Sequence, residues 1–203
     1  MKNLFNPKRI RKSFSSIFIF LILLPLGACK NDTHTDNIVI ASYGKILSAD
    51  PASAYKLKTL HLLNALGDTL YELDNEGFLV PKLAASLPVF SEDKLRIDIQ
   101  LREDVLFHDG TPFNSYAMKF TLERFQSSWL MSHILGDNIA SIEAPEKNLL
   151  TIYLKKPSSS VEGLLTSIYL TPLSPTFYED QSNDTISNFV GTGEYILESF
   201  TND

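Results

Sequence analysis

A single cysteine, Cys29, stands in a chain of 203 residues, so no disulfide can close within it. Histidine is nearly as scarce. His34, His61, His108 and His133 share no ligand spacing such as His-x-x-x-His, which removes the usual signature of a zinc site. The chain has nine glycines. The Gly191-x-Gly193 pair lacks the third glycine and the strand-to-helix setting of a dinucleotide fingerprint. No nucleophile stands grouped with a base. Asp74, Glu76, Glu92, Asp93, Glu103 and Asp104 read as solvated loop charges rather than a paired acid–base set. No catalytic residue, metal ligand or cofactor is therefore assigned. Repeats and low-complexity tracts are absent, and no apolar run reaches the ~20 residues that a membrane-spanning helix needs.

What is present begins at the amino terminus. Lys2, Lys8, Arg9, Arg11 and Lys12 form a positive start, followed by an apolar run from Phe14 to Leu24 that Pro25 breaks. That layout is the one of an export signal. Leu26-Gly27-Ala28-Cys29 follows directly and resembles a bacterial lipobox, which assigns residues 1–28 as a lipoprotein signal peptide and Cys29 as the lipid attachment point. Two or three acyl chains at Cys29 anchor a protein stably, whereas one holds it only marginally. Residues 29–37 are polar and without apolar periodicity, the pattern of a tether. Five of the 18 basic residues lie in the signal, leaving 13 against 24 acidic residues, a formal charge of −11 beyond it. So acidic an exported chain argues against nucleic acid as a partner.

From Ile38 onward the composition is that of a globular domain. Ile38 to Ala41 reads as a buried strand that ends at Ser42 and Tyr43. The spacing of Leu57, Leu60, Leu63, Ala65 and Leu66 predicts a helix over 54–66, stopped by Gly67. Residues 70–73 and 78–80 read as strands about an Asp74-Asn75-Glu76-Gly77 turn, and 81–86 as a short helix. Leu95, Ile97, Ile99 and Leu101 alternate with polar residues, the period of a half-buried strand. His108 to Pro112 forms a turn, with His108 satisfying backbone groups, and Asn114 or Ser115 caps the next helix. Residues 139–144 and 149–154 pair as a hairpin, and Pro157 opens a short helix that runs to about Thr166. Phe107, Phe113, Phe120 and Phe125 sit at core spacing. Hairpins interleaved with single helices predict a mixed-sheet α/β or an α+β domain.

An ordered set of residues then carries a resemblance. It comprises Asp50-Pro51, Tyr71-Glu72-Leu73-Asp74, Gly77, Val80-Pro81-Lys82-Leu83-Ala84, Ser86 and Ser91-Glu92-Asp93. Leu101 to Phe113, reading Leu-Arg-Glu-Asp-Val-Leu-Phe-His-Asp-Gly-Thr-Pro-Phe, continues it to Phe120 and Arg124. Together these resemble the amino-terminal part of the bacterial extracellular solute-binding proteins of family 5, the oligopeptide, dipeptide and nickel binding group. Gly191-Thr192-Gly193-Glu194-Tyr195 resembles that family's Gly-Thr-Gly-x-Tyr strand. Leu87, Lys94 and Tyr116-Ala117-Met118 depart from its pattern.

The resemblance implies an α/β, mixed-sheet fold: a partial first lobe of a two-lobed periplasmic binding protein, type II-like. Residues 38–203 would be the amino-terminal part of the binding domain, with the second lobe and the carboxyl-terminal part lying beyond the 203 residues. It also implies capture of a peptide or other small solute for the membrane permease and ATPase subunits of an ABC importer. The protein would be a monomer on the periplasmic or extracytoplasmic face, held to the bilayer through acylated Cys29. Nickel, haem or oligosaccharide carriage on the same fold, or a chain that binds nothing, are the alternatives. Strand ends are where ligands of open α/β sheets sit, so Ser42, Tyr43 and the Gly191, Thr192, Gly193 segment are expected at the solute cleft.

Overall fold

A computed structural model describes residues 50–51, 57–128, 132–133, 136–179 and 188–199, all within one compact unit, residues 42–203. Helix α1 (Leu57–Leu66) buries Thr59, Leu63 and Leu66, which are four and three residues apart and so share one face. Its expected start at 54 lies outside the described residues. Gly67 ends the helix, its N–H donating to the carbonyl of Leu63 at 2.9 Å. The glycine is required by packing: a Cβ there would lie 2.2 Å from the Thr171 methyl.

Strands β1 (Tyr71–Leu73) and β2 (Leu79–Pro81) pair antiparallel about the expected turn. The Asp74 carboxylate accepts from the N–H groups of Glu76 and Phe78, and Gly77 takes φ +87°, where a side chain is disfavoured. The helix expected over 81–86 is not formed. The N–H groups of Lys82 and Ala84 donate to the Leu70 carbonyl and that of Ala85 to the Gln100 carbonyl, while the Arg102 N–H donates to Leu83. These long-range partners hold the segment extended, with Ala84 bridged to Leu101, so no donor is left for a helical turn.

The main sheet has four strands in the order β3 (Val89–Phe90), β4 (Arg96–Gln100), β6 (Leu149–Leu154), β5 (Ile139–Glu146), each neighbouring pair antiparallel. The predicted alternation in β4 is observed: Ile97 and Ile99 face the core, and Arg96 and Gln100 face out. Across the sheet Ile97, Ile152 and Ile142 stand in one register row. On the other face Thr151 donates to Asp98 at 2.9 Å, and Asp98 pairs with Arg96 at 3.2 Å.

Helix α2 (Ser115–Ser127) covers the inner face against β5 and β6. Asn114 is its cap, the side chain accepting from the Ala117 N–H at 3.0 Å. Ala117, Met118, Leu122 and Phe125 form its buried stripe, and each large apolar side chain so buried contributes about 2 kcal/mol. Thr121 is buried in the same stripe; its hydroxyl donates to the Ala117 carbonyl and accepts from the Leu173 N–H. Helices α3 (Val161–Leu165) and α4 (Pro175–Tyr178) are short, and Pro175 sits at the position of α4 that needs no N–H. The observed class is α/β with antiparallel sheets. Among the described residues no helix is long and apolar enough to cross a membrane.

Candidate functional site: a glycine segment clasped by His108

The Phe107 to Pro112 turn is fixed before it reaches any partner. The Phe107 N–H donates to Thr111, the Gly110 N–H donates to Phe107, and Gly110 takes φ +80°. The Phe107 and Phe113 rings meet edge to face with centroids 6.1 Å apart, which anchors both limbs in the core. Phe113 and Phe125 are buried as expected, and Phe120 is partly buried.

His108 therefore projects from a rigid turn, and it holds a segment more than 80 residues away. Its backbone N–H donates to the Gly191 carbonyl at 2.9 Å. Its ring Nε2 lies 2.9 Å from the Gly193 carbonyl, and Nδ1 receives the Gly191 N–H at 3.4 Å. The neutral imidazole carrying its proton on Nε2 satisfies both ring contacts at once. The expectation that His108 serves backbone groups holds.

The far side of the segment rests on the end of α1. The Gly193 N–H donates to the Leu66 carbonyl at 3.0 Å, and the Asp68 N–H donates to the Thr192 hydroxyl at 3.4 Å. At Gly193 a Cβ would sit 2.5 Å from the Leu66 carbonyl carbon and 2.6 Å from the Gly67 nitrogen, so only glycine permits this backbone approach. Gly191 is confined in the same way, with a Cβ 2.7 Å from the Leu66 oxygen. The strand expected over 191–197 is not formed. The N–H and C=O groups of both glycines are bonded to His108 and Leu66, which leaves them nothing to offer a ladder. The Thr192 hydroxyl, half-buried, donates to no acceptor among the described residues. Ser42, Tyr43 and Cys29 lie outside the described residues.

Two clusters that sequence reasoning did not find flank the clasp. In the first, the Asp109 carboxylate accepts from the hydroxyls of Thr111 and Ser174, each at 2.5 Å, and from the Thr111 N–H at 2.9 Å. Burial pushes the Asp109 carboxyl up, but the Ser174 and Thr111 donors outweigh it and hold it below the usual carboxylate range. A carboxylate depressed on folding adds stability above its unfolded value, about pH 4, and loses that contribution as pH falls through the folded value. Asp109→Asn is therefore expected to lower the urea midpoint at neutral pH. The deficit should shrink as the pH drops below about 4, and a deficit independent of pH would contradict this assignment.

In the second cluster Arg124, on α2, donates to the buried Asp50 carboxylate at 2.5 Å and lies 5.9 Å from the centre of the Tyr178 ring. The Tyr178 hydroxyl accepts the Val190 N–H at 3.1 Å, which ties this cluster to the glycine segment. Burial pushes the Tyr178 phenol up, so it remains a neutral hydroxyl. No spacing rule joins residues 50, 124 and 178, and nothing local in the sequence signals their meeting. The six acidic residues read as loop charges are all exposed, and Asp104 is held low by the Arg102 guanidinium beside it. Among the described residues, no group of three His, Cys, Asp or Glu side chains is placed to hold a metal ion.

The fold is one that known proteins share. The family model described as bacterial extracellular solute-binding proteins, family 5 Middle, matches residues 79–203. The chain belongs to that family. Among curated proteins it is 32% identical over 166 residues to the glutathione-binding protein GsiB of Escherichia coli O6:K15:H31. That match covers 81% of this chain and 32% of the relative, so the chain spans about a third of the length of the curated relatives it matches. Among solved structures, NikZ from Campylobacter jejuni in complex with Ni(L-His) superposes with a TM-score of 0.71 at 28% identity. It is covered over 34% of its chain, and this chain over 82%. Listeria monocytogenes OppA bound to peptide shares the fold, with a TM-score of 0.70 at 23% identity over 78% of this chain and 35% of its own. A match to part of each such two-lobed protein agrees with the expected partial lobe.

Proposed function

We propose that this chain serves as the exported, lipid-anchored solute-binding component of an ABC importer, and that its solute is a short peptide. The observation that carries the reading is the family match over residues 79–203. Peptide is favoured by GsiB, named for binding glutathione, and by the OppA structure, which holds a peptide; glutathione is itself a modified tripeptide. The acidic sequence beyond residue 28 and the signal pattern before Cys29 support export and anchoring. Capture in this reading is non-catalytic. The solute is enclosed by hinge closure, and separate permease and ATPase subunits use the closed state.

Ser42 and Tyr43 are assigned to the solute-facing edge with the Gly191-Thr192-Gly193 segment. In that segment the Thr192 hydroxyl is the donor with no acceptor among the described residues, and Gly191 and Gly193 position it. A peptide recognised chiefly through its backbone would pair with protein backbone groups, with water-filled pockets taking its side chains. The 28% identity to NikZ favours a second reading, carriage of a nickel chelate.

Uptake in cells lacking the gene separates the two. Peptide carriage predicts loss of labelled di- or oligopeptide uptake at limiting concentration, with nickel uptake unchanged. The reverse pattern supports nickel. Cys29→Ser should in either case move the protein from the membrane to the soluble fraction, and retention in the membrane would contradict the anchor.

A further inference from the structure

The turn entering β4 and the loop entering α3 border a cleft of about 440 Å³, lined by Phe90, Lys94, Pro157, Ser158, Ser159 and Glu162. That volume lies within the ~300–1,000 Å³ of small-molecule sites. It carries one group of each charge, Lys94 and Glu162, and neither side chain enters an ion pair among the described residues. Phe90, half-buried, and Pro157 supply an apolar wall, and Ser158 and Ser159 supply hydroxyls.

Lys94 stands out for its backbone as well. Its φ of +57° is the one positive value held by a non-glycine among the described residues. A lysine has no local side-chain bond to favour that conformation, and glycine would adopt it freely. That φ closes the turn from β3 into β4, where the Lys94 N–H donates to the Ser91 carbonyl at 2.9 Å, and the Lys94 side chain is left exposed at the rim of the cleft.

We propose that this cleft binds a small zwitterion, a free amino acid or short peptide with an apolar side chain. Its carboxylate would meet Lys94, its ammonium Glu162, and its side chain Phe90 and Pro157. A simple anion would be repelled by Glu162 and a simple cation by Lys94, whereas one ligand bearing both charges is complementary to both. The site shares no residue with the solute edge assigned above and does not depend on the importer reading.

The test is a ¹H–¹⁵N NMR titration of the full chain with leucyl-leucine, N-acetyl-leucine and leucinamide. Saturable shifts at the amides of Lys94 and residues 158–162 are expected with leucyl-leucine, and each capped compound should bind at least tenfold more weakly. Lys94→Gly relieves the backbone strain, so the variant folds, and its affinity should fall at least tenfold; Glu162→Gln should weaken binding similarly. Unchanged affinity in Lys94→Gly, equal binding of the capped compounds, or no saturable shift at these amides would overturn the proposal. Shifts confined to Thr192 and its neighbours would also overturn it, while supporting the solute edge.

Discussion

Replacing Gly193 by alanine is expected to destabilise the fold by about 3 kcal/mol, because the new methyl group has no room. The atoms it meets are the Leu66 carbonyl carbon and oxygen and the Gly67 nitrogen, which are backbone and cannot rotate aside as a side-chain tip can. Relief requires the segment to lift from α1. That breaks the 3.0 Å bond from the Gly193 N–H to Leu66 and draws the Gly193 carbonyl away from the His108 ring. His108→Ala attacks the same clasp from the other side. It removes both ring contacts and leaves the Gly193 carbonyl to find a new donor, at a cost of about 2 kcal/mol. Urea unfolding of both variants checks the pair. If Gly193→Ala unfolds at the wild-type midpoint, the close approach at residue 193 is not a feature of the folded protein.

The second large effect falls on Arg124. Its side chain keeps 12% of its exposure and that of Asp50 keeps 1%, so this ion pair is screened far less than the other pairs in the fold. Removing one partner of a buried pair leaves the other charge without its compensation, which costs ~3–5 kcal/mol. Asp50 retains further interactions, which places Arg124→Ala toward the lower end, about 3 kcal/mol. Arg124→Lys keeps the charge but loses the planar guanidinium that reaches Asp50 while lying by the Tyr178 ring, and should fall between. Thermal unfolding orders the three proteins. A melting temperature for Arg124→Ala within a degree or so of wild type would show that Asp50 is not dependent on Arg124.

These two sites also show where sequence reading reaches and where it stops. The Asp74–Gly77 turn, the alternation of β4, the Asn114 cap and the Phe107–Pro112 turn were legible because their signals lie within a few residues of the structure they cause. The segment over 81–86 was misread as a helix. Its backbone partners, Leu70 and Gln100, come from neighbouring loops and strands rather than from its own turn. The glycine segment at 191–193 was expected as a strand for the same reason. Two glycines with an intervening threonine fit an extended run, but what fixes them is the α1 end and a histidine 83 residues away. The Arg124–Asp50 pair, 74 residues apart, carried no local signal beyond the two residue types.

The role of His108 was read correctly because a histidine beside an Asp-Gly turn with no ligand-spaced partner has backbone groups as its most available acceptors and donors. That the acceptor would be Gly193 was not readable. The Asp109, Thr111 and Ser174 cluster mixes both situations. An Asx-type contact within the turn is a local expectation, while Ser174 arrives from the start of α4.

The proposed capture of short peptides for import is tested most directly on the protein as the cell makes it. Extracted in detergent from its own membranes and denatured, it should release short peptides identifiable by mass spectrometry, and the refolded protein should rebind them saturably. Release of nickel chelate or sugar with no peptide, and no rebinding of peptide, would contradict the account.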